Sequence, residues 1–346
     1  MQTSQTKTSL LIAGNFLSSK TGTRGMCEDL SDQLEAKGYS VIRTSFTKKR
    51  ILRMMDFLWT AFSRRRQYDK AIVELYSGLA FEWARILGNF LQRLRKPFIL
   101  VLHGGKLWEF YTENPKKVEK LLRKAESCCS PSTFLVERFL DIGIDICYIP
   151  NGLDLEKYSF KNREAFVPKL VWLRAIHHLY NPQMAIEVFQ IVSNSFPEAE
   201  LWMIGPDKQD GSMKEVHEKI KGLSKPERVH LVGAVPKDMV PVWLDKGDIF
   251  LNTTNYESFG VSVIEAAACG LAIVSTDAGE LPRLWTNNEN ALLVPVGNTE
   301  KMAGAVISIL ESPDLAKKIT QNAKRKVESY QWDKIMPLWT KLIGKK

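Results

Sequence analysis

Short apolar runs alternate with amphipathic stretches along almost the whole chain. "SLLIAGNF" (9–16) reads as a strand, a glycine-containing loop "LSSKTGTRG" follows, and "MCEDLSDQLEAKG" then spaces its apolar residues helically until Gly38 stops it. "YSVIRTSF", "YDKAIVELYS", "KPFILVLHGG", "AESCCSPS" and "DICYIPNGLD" continue the series, several of them ending in polar or glycine-rich turns. The same grammar restarts at "PKLVWLRA" with helix "NPQMAIEVFQIVSNSF", strand "AELWMIGP", a helix around 212–223 and strand "RVHLVGAV". Helix "DMVPVWLDKG", strand "DIFLNTT", a helix from about Val261 to Cys269, strand "LAIVSTD", the short "ALLVPVG" and terminal helices from Glu300 complete it. Apolar strands alternating with helices belong in parallel sheets covered on both faces.

The pattern therefore predicts an α/β protein of two doubly wound, Rossmann-like parallel-sheet domains facing a cleft. The first spans 1–155 and is rejoined by a C-terminal helix at about 331–346; the second spans 166–330. The polar stretch "LDLEKYSFKNREAFVPK" links them. In such sheets ligands bind beyond the carboxyl ends of the strands, at helix N-termini. Functional residues are therefore sought in the loops that leave strands.

One such loop opens "NYESFGVSVIEAAACG" (255–270), which follows the strand "DIFLNTT". Glu257 lies in the ligand-facing loop. Glu265 lies one turn beyond Val261 on the same helix face, inside an otherwise apolar run. A buried acid there needs a partner. Gly260 lets backbone amides at the helix N-terminus approach an anion, and carboxylates accept hydrogen bonds from vicinal diols. The alternative is an acid favoured by the helix dipole together with one solvated glutamate.

Composition narrows the class. At 346 residues the chain has room for two domains, and no run approaches the roughly 20 apolar residues of a spanning helix. The start lacks a signal-peptide pattern. Five cysteines without a CxxC or a Cys/His cluster indicate reduced thiols in a cytoplasmic protein and no zinc site. Residues 1–150 hold 24 Lys and Arg against 15 Asp and Glu, and so carry the whole net charge of +9; the rest is balanced at 24 of each. That asymmetry points to an anionic partner for the first half. Much of it lies in "TKKRILRMMDFLWTAFSRRRQYDK" (47–70), where Ile51, Met55, Leu58 and Phe62 recur at helical spacing. The segment reads either as a core helix with a solvated basic face or as a basic amphipathic helix on an anionic membrane. No nucleic-acid module appears.

Taken with their surroundings, Glu257 and Glu265 resemble the E-x7-E motif of the retaining glycosyltransferases with the GT-B fold, family 4. "CCSPSTFLVERFLDIGIDICYIPNGLD" is similar to the stretch that closes the family's first domain, and "KPFILVLHGG" to its first-domain HG loop. "LVGAVPKDMVPVWLDKGDIFLNTTNYESFG" is similar to its approach to the motif. The resemblance covers nearly the whole chain. It implies that Glu265 holds the ribose of a nucleotide-sugar donor. Glu257, with amides near Phe259, Gly260 and Val261, would hold the donor sugar and diphosphate, and Arg174 would neutralise the leaving group. His103 would lie under the donor sugar near the reacting carbon, and Gly22 near the phosphates or acceptor. A lysine expected shortly after Arg174 is missing; His178, Leu179 or Tyr180 stands in its place, and Lys208 is a candidate substitute. His177 and His178, being adjacent, are poorly arranged for one ion.

The implied reaction is transfer of a sugar, with retention, to the hydroxyl of a glycan or lipid-linked acceptor, in bacterial polysaccharide or glycolipid synthesis. Donor binding is expected mainly on the second domain and acceptor binding on the first. No metal or other cofactor is expected. Two alternatives stay open: a nucleotide-sugar epimerase of the same fold, and a membrane- or partner-binding protein without turnover. The expected location is cytoplasmic, peripheral on the inner face of the membrane where 47–70 engages it.

Overall fold

Strand β1 (Leu10–Ala13) is buried throughout and pairs in parallel on both edges, with β2 (Val41–Thr44) and β3 (Lys70–Leu75). The computed structural model to which it belongs describes residues 8–18, 24–104 and 106–344. Strands β4 (Phe98–Leu102), β5 (Ser127–Ser130) and β6 (Cys147–Tyr148) extend the sheet to the order β2-β1-β3-β4-β5-β6, with every pair parallel. A second parallel sheet follows: β7 (Lys169–Leu173), β8 (Glu200–Ile204), β9 (Val229–Gly233), β10 (Ile249–Asn252), β11 (Ala272–Thr276) and β12 (Leu292–Val294). Its order is β12-β11-β10-β7-β8-β9. The chain divides accordingly into Met1–Gly152 with Trp332–Lys346, and Leu153–Gln331.

The near-continuous apolar runs are explained by burial on both faces. In the first unit Leu11, Val73 and Leu100 meet Phe57, Phe81 and Phe139 on one side. Leu10, Ile12 and Ile99 meet Leu30, Trp332 and Trp339 on the other. The second unit repeats this: Leu170 and Trp172 face one cluster and Val171 the other.

The stretch read as a polar link is part of the second unit. Arg163 is buried. Its guanidinium donates to Asp248 at 2.6 Å and to the carbonyls of Gly247, Cys269 and Gly270 at 2.7, 3.1 and 2.8 Å. Tyr158 is buried on the same body. A polar composition thus reflects a buried polar lock here, not a tether. None of the five cysteines forms a disulfide. Among the described residues no helix is long and apolar enough to cross a membrane.

Candidate functional site

In the second unit β7 enters between β10 and β8, and the chain leaves these neighbouring strands in opposite directions. A crevice opens at the carboxyl ends where such an order reverses. Arg174 is the first residue beyond β7, and Glu257 lies in the loop leaving β10. The two side chains pair across the crevice, both largely buried. The other Glu257 oxygen accepts the amides of Ser258 at 3.0 Å and Phe259 at 3.4 Å. Gly279, at φ +58°, backs onto the same loop so closely that a Cβ there would lie 2.1 Å from the Glu257 carbonyl oxygen.

Burial pulls the Arg174 guanidinium below its ordinary pKa, while the neighbouring Tyr180 and Glu265 side chains work the other way. Its charge sits 5.2 Å from the centroid of the Tyr180 ring, one of the positions where the resemblance expects a lysine.

Gly260, at φ +89°, starts the helix Val261–Ala268. The Val261 and Ser262 amides precede any intrahelical acceptor, as at any helix start, whereas the Val263 amide turns back to the Gly260 carbonyl at 3.0 Å. Beside them the Ser262 hydroxyl is buried without a partner among the described residues, and so is Nε of Arg174. Sequence alone does not single out Ser262, because a serine near a helix start is an ordinary sight. Glu265 is buried, and it has internal partners. The Tyr158 hydroxyl donates to its Oε1 at 2.6 Å, and the Lys237 ammonium reaches the same oxygen. Lys208 stands exposed on the loop after β8, so the lysine held at this carboxylate is Lys237.

The crevice therefore brings together Arg174, Glu257, Gly260, Val261 and Glu265. The Phe259 ring packs edge-on against Tyr330 at 5.6 Å, and its amide serves Glu257. Gly22 lies outside the described residues.

His103 belongs to the first unit, where the strand order reverses between β1 and β3. Its ring stacks on Tyr76 at 5.1 Å, with Nε2 3.6 Å from Oε1 of Glu74, too far for a hydrogen bond. The other Glu74 oxygen lies against Gly14, where a Cβ would meet it at 2.7 Å. Burial pushes the Glu74 carboxyl up to about 7, although hydrogen bonds from Asn15, Cys27 and Tyr76 favour its ionised form. Burial pulls His103 down to about 4 and pushes the Cys27 thiol far above its usual range. Glu74 and His103 share a cavity of about 20 Å³ with Cys27 and Asn151, room for about one water.

Among the described residues His177, His178 and Asp210 are the only such group close enough to share an ion. Asp210 is already occupied. It accepts the amide and Nδ1 of His178, each at 2.8 Å, and the amide and hydroxyl of Ser212 at 3.1 and 3.0 Å. The His178 and Ser212 bonds hold its carboxyl well below the usual range.

Two parallel six-stranded sheets, each with a switch-point crevice, make this the GT-B fold. The crystal structure of Anabaena Alr3699/HepE with UDP and glucose superposes with a TM-score of 0.77 at 17% identity, covering 97% of this chain and 99% of that one. Residues 156–326, nearly all of the second unit, match the family model for glycosyl transferases group 1, and that segment belongs to the family. The 2-deoxystreptamine N-acetyl-D-glucosaminyltransferase of Niallia circulans is 24% identical over 295 residues, 78% of this chain and 75% of that protein. The phosphatidyl-myo-inositol mannosyltransferase of Mycolicibacterium smegmatis is 28% identical over 198 residues, 55% of this chain and 50% of that protein.

Proposed function

We propose that this protein is a retaining glycosyltransferase that moves a hexosyl group from a nucleoside diphosphate sugar to a hydroxyl of a glycan or lipid-linked acceptor. The observation that carries the reading is the convergence of Arg174, Glu257 and Glu265 beside a helix N-terminus, with Arg174 Nε and Ser262 Oγ buried and unpartnered. Unsatisfied donors in a buried site are costly, and the oxygens of a diphosphate would satisfy them. The chain's likeness to a protein named as an N-acetylglucosaminyltransferase, and to a fold solved with UDP and glucose, makes UDP sugars the first donors to test.

In this reading Oε1 of Glu265 stays with Tyr158 and Lys237, and Oε2 takes the ribose diol. Arg174, Lys237 and the first-turn amides offset the diphosphate charge, and Glu257 holds donor-sugar hydroxyls. The bond from the sugar to the leaving phosphate breaks as the acceptor oxygen attacks from the same face. The departing phosphate oxygen takes the acceptor's proton, so no separate base is required.

Calorimetric titration with UDP, GDP and ADP, on the native chain and on Glu265→Ala and Glu265→Gln, tests the donor site. One nucleotide should bind, and Glu265→Ala should weaken it about 10- to 150-fold, the equivalent of one charge-assisted hydrogen bond. A folded native chain that binds none of them would sink the reading. Product analysis with and without an acceptor then separates transfer from epimerisation.

A further inference from the structure

We propose that the outer face of the helix Arg50–Ser63 docks this protein onto an anionic membrane surface. The helix has two apolar faces, and the sheet uses only one. Phe57 and Ala61 are buried beneath it, and Arg53 is buried with them, donating to Asn15 Oδ1 at 2.6 Å and to the Thr47 carbonyl at 2.9 Å. With its inner side anchored, the helix turns a second stripe to solvent: Ile51 is 78% exposed, Met55 61%, Trp59 69% and Phe62 45%, with Leu52 beside them at 49%. Contiguous exposure of this kind is uncommon on a free surface and marks a face that something covers.

Charge selects the occupant. Lys48, Lys49 and Arg50 stand at one end of the stripe and Arg64, Arg65 and Arg66 at the other. Asp56 is the single acid between 46 and 66, and its carboxylate is engaged by the hydroxyls of Thr44 and Thr60 at 3.3 and 3.4 Å. Three bases at a helix N-terminus oppose the helix dipole, so they do not serve the helix itself. An apolar stripe between two clusters of cations fits the boundary between acyl chains and anionic headgroups. A nucleic acid would use the cations and leave Ile51, Met55 and Trp59 uncovered. The helix would lie in the plane of the surface. This inference stands apart from the glycosyltransferase reading and needs no activity for its test.

The test is co-sedimentation of the full chain with phosphatidylcholine vesicles, with and without phosphatidylglycerol. The native chain should pellet with the anionic vesicles and far less with the neutral ones. The Arg64→Ser/Arg65→Ser/Arg66→Ser variant should partition roughly 100-fold more weakly, and the Ile51→Ser/Met55→Ser/Trp59→Ser variant by a similar factor. All six positions but the half-buried Arg65, whose guanidinium lies against Phe62, are exposed, and the circular dichroism stays unchanged in both variants. A blue shift of emission on binding should be lost in Trp59→Phe. Equal binding to both vesicle types, or none, overturns the proposal. So does a dimer in solution that the apolar variant dissociates, since a second copy would then cover the stripe.

Discussion

Glu74 and His103 hold a proton differently in the folded and unfolded chain. Their ordinary values are 4.5 and 6.5; in the fold they stand at about 7 and about 4. Between roughly pH 4.5 and 6.5 each state carries one proton on the pair, on the imidazole when unfolded and on the carboxyl when folded. Folding therefore replaces an ion pair with a neutral pair, as burial requires, and the two dependences cancel across that window. The His103 contribution is present above its unfolded value and lost as pH falls through about 4. The Glu74 contribution is full below its unfolded value and lost as pH rises through about 7. Each amounts to about 3 kcal/mol. Glu74→Gln should uncouple them: the variant gains stability from about pH 4 to 6.5, where the native chain is nearly flat. Urea unfolding across that range reads this directly, and parallel profiles for the two chains would refute it. The anomaly that makes Glu265 conspicuous, an acid in an apolar run, is equally present at Glu74 in "AIVELY". It draws no notice there because an acid at the end of a strand is ordinary. Tyr158, Lys237 and Ser262 give no such signal, since their meaning comes only from what folding places beside them.

At the scale of elements, apolar periodicity locates the strands and the motif helix but not which way an amphipathic helix faces. In 47–70 the spacing picks out Ile51, Met55, Leu58 and Phe62, yet the fold buries Phe57 and Ala61, packs Leu58 against the same core and leaves the other three exposed. Two apolar stripes on one helix cannot be ranked without knowing where the sheet lies. Loop packing is similarly hidden, and glycines test it. Gly279→Ala combines a positive φ with a Cβ 2.1 Å from the Glu257 carbonyl oxygen, so it should cost about 2–4 kcal/mol and weaken donor binding. Gly304→Ala, within the helix Thr299–Glu311 and in open space, should instead stabilise by about 0.5–1 kcal/mol. Thermal melting of the pair, with the donor titration repeated, checks both; equal melting temperatures would show that the Glu257 loop is not tightly packed.

For the whole molecule, the repeated strand–helix grammar makes two parallel-sheet units readable, because strands buried on both faces leave little else for such runs to be. The chain starts the first unit, makes the whole of the second, and returns with Trp332–Ile343. That helix buries Ile335, Met336, Trp339, Leu342 and Ile343 in the first unit. Lys70, at the start of β3, donates to its Ile343 carbonyl at 2.8 Å. Removing these five apolar side chains forfeits on the order of 10 kcal/mol, comparable to the stability of a domain. A chain ending at Gln331 should lose protease resistance in the first unit and keep a resistant core from the second. Unchanged resistance of both would contradict this.

The same return path orders events during synthesis. The unit begun first at the ribosome cannot be finished until the last helix emerges, whereas the unit begun second already has all its residues. One face of the β1–β3–β4 sheet, with Leu10, Ile12, Ile72 and Ile99, has Leu30 and Leu34 of the helix Met26–Ala36 against it but lacks Trp332, Met336 and Trp339 throughout translation of the other half. A stalled ribosome would thus present a half-covered apolar sheet to whatever chaperone is nearest.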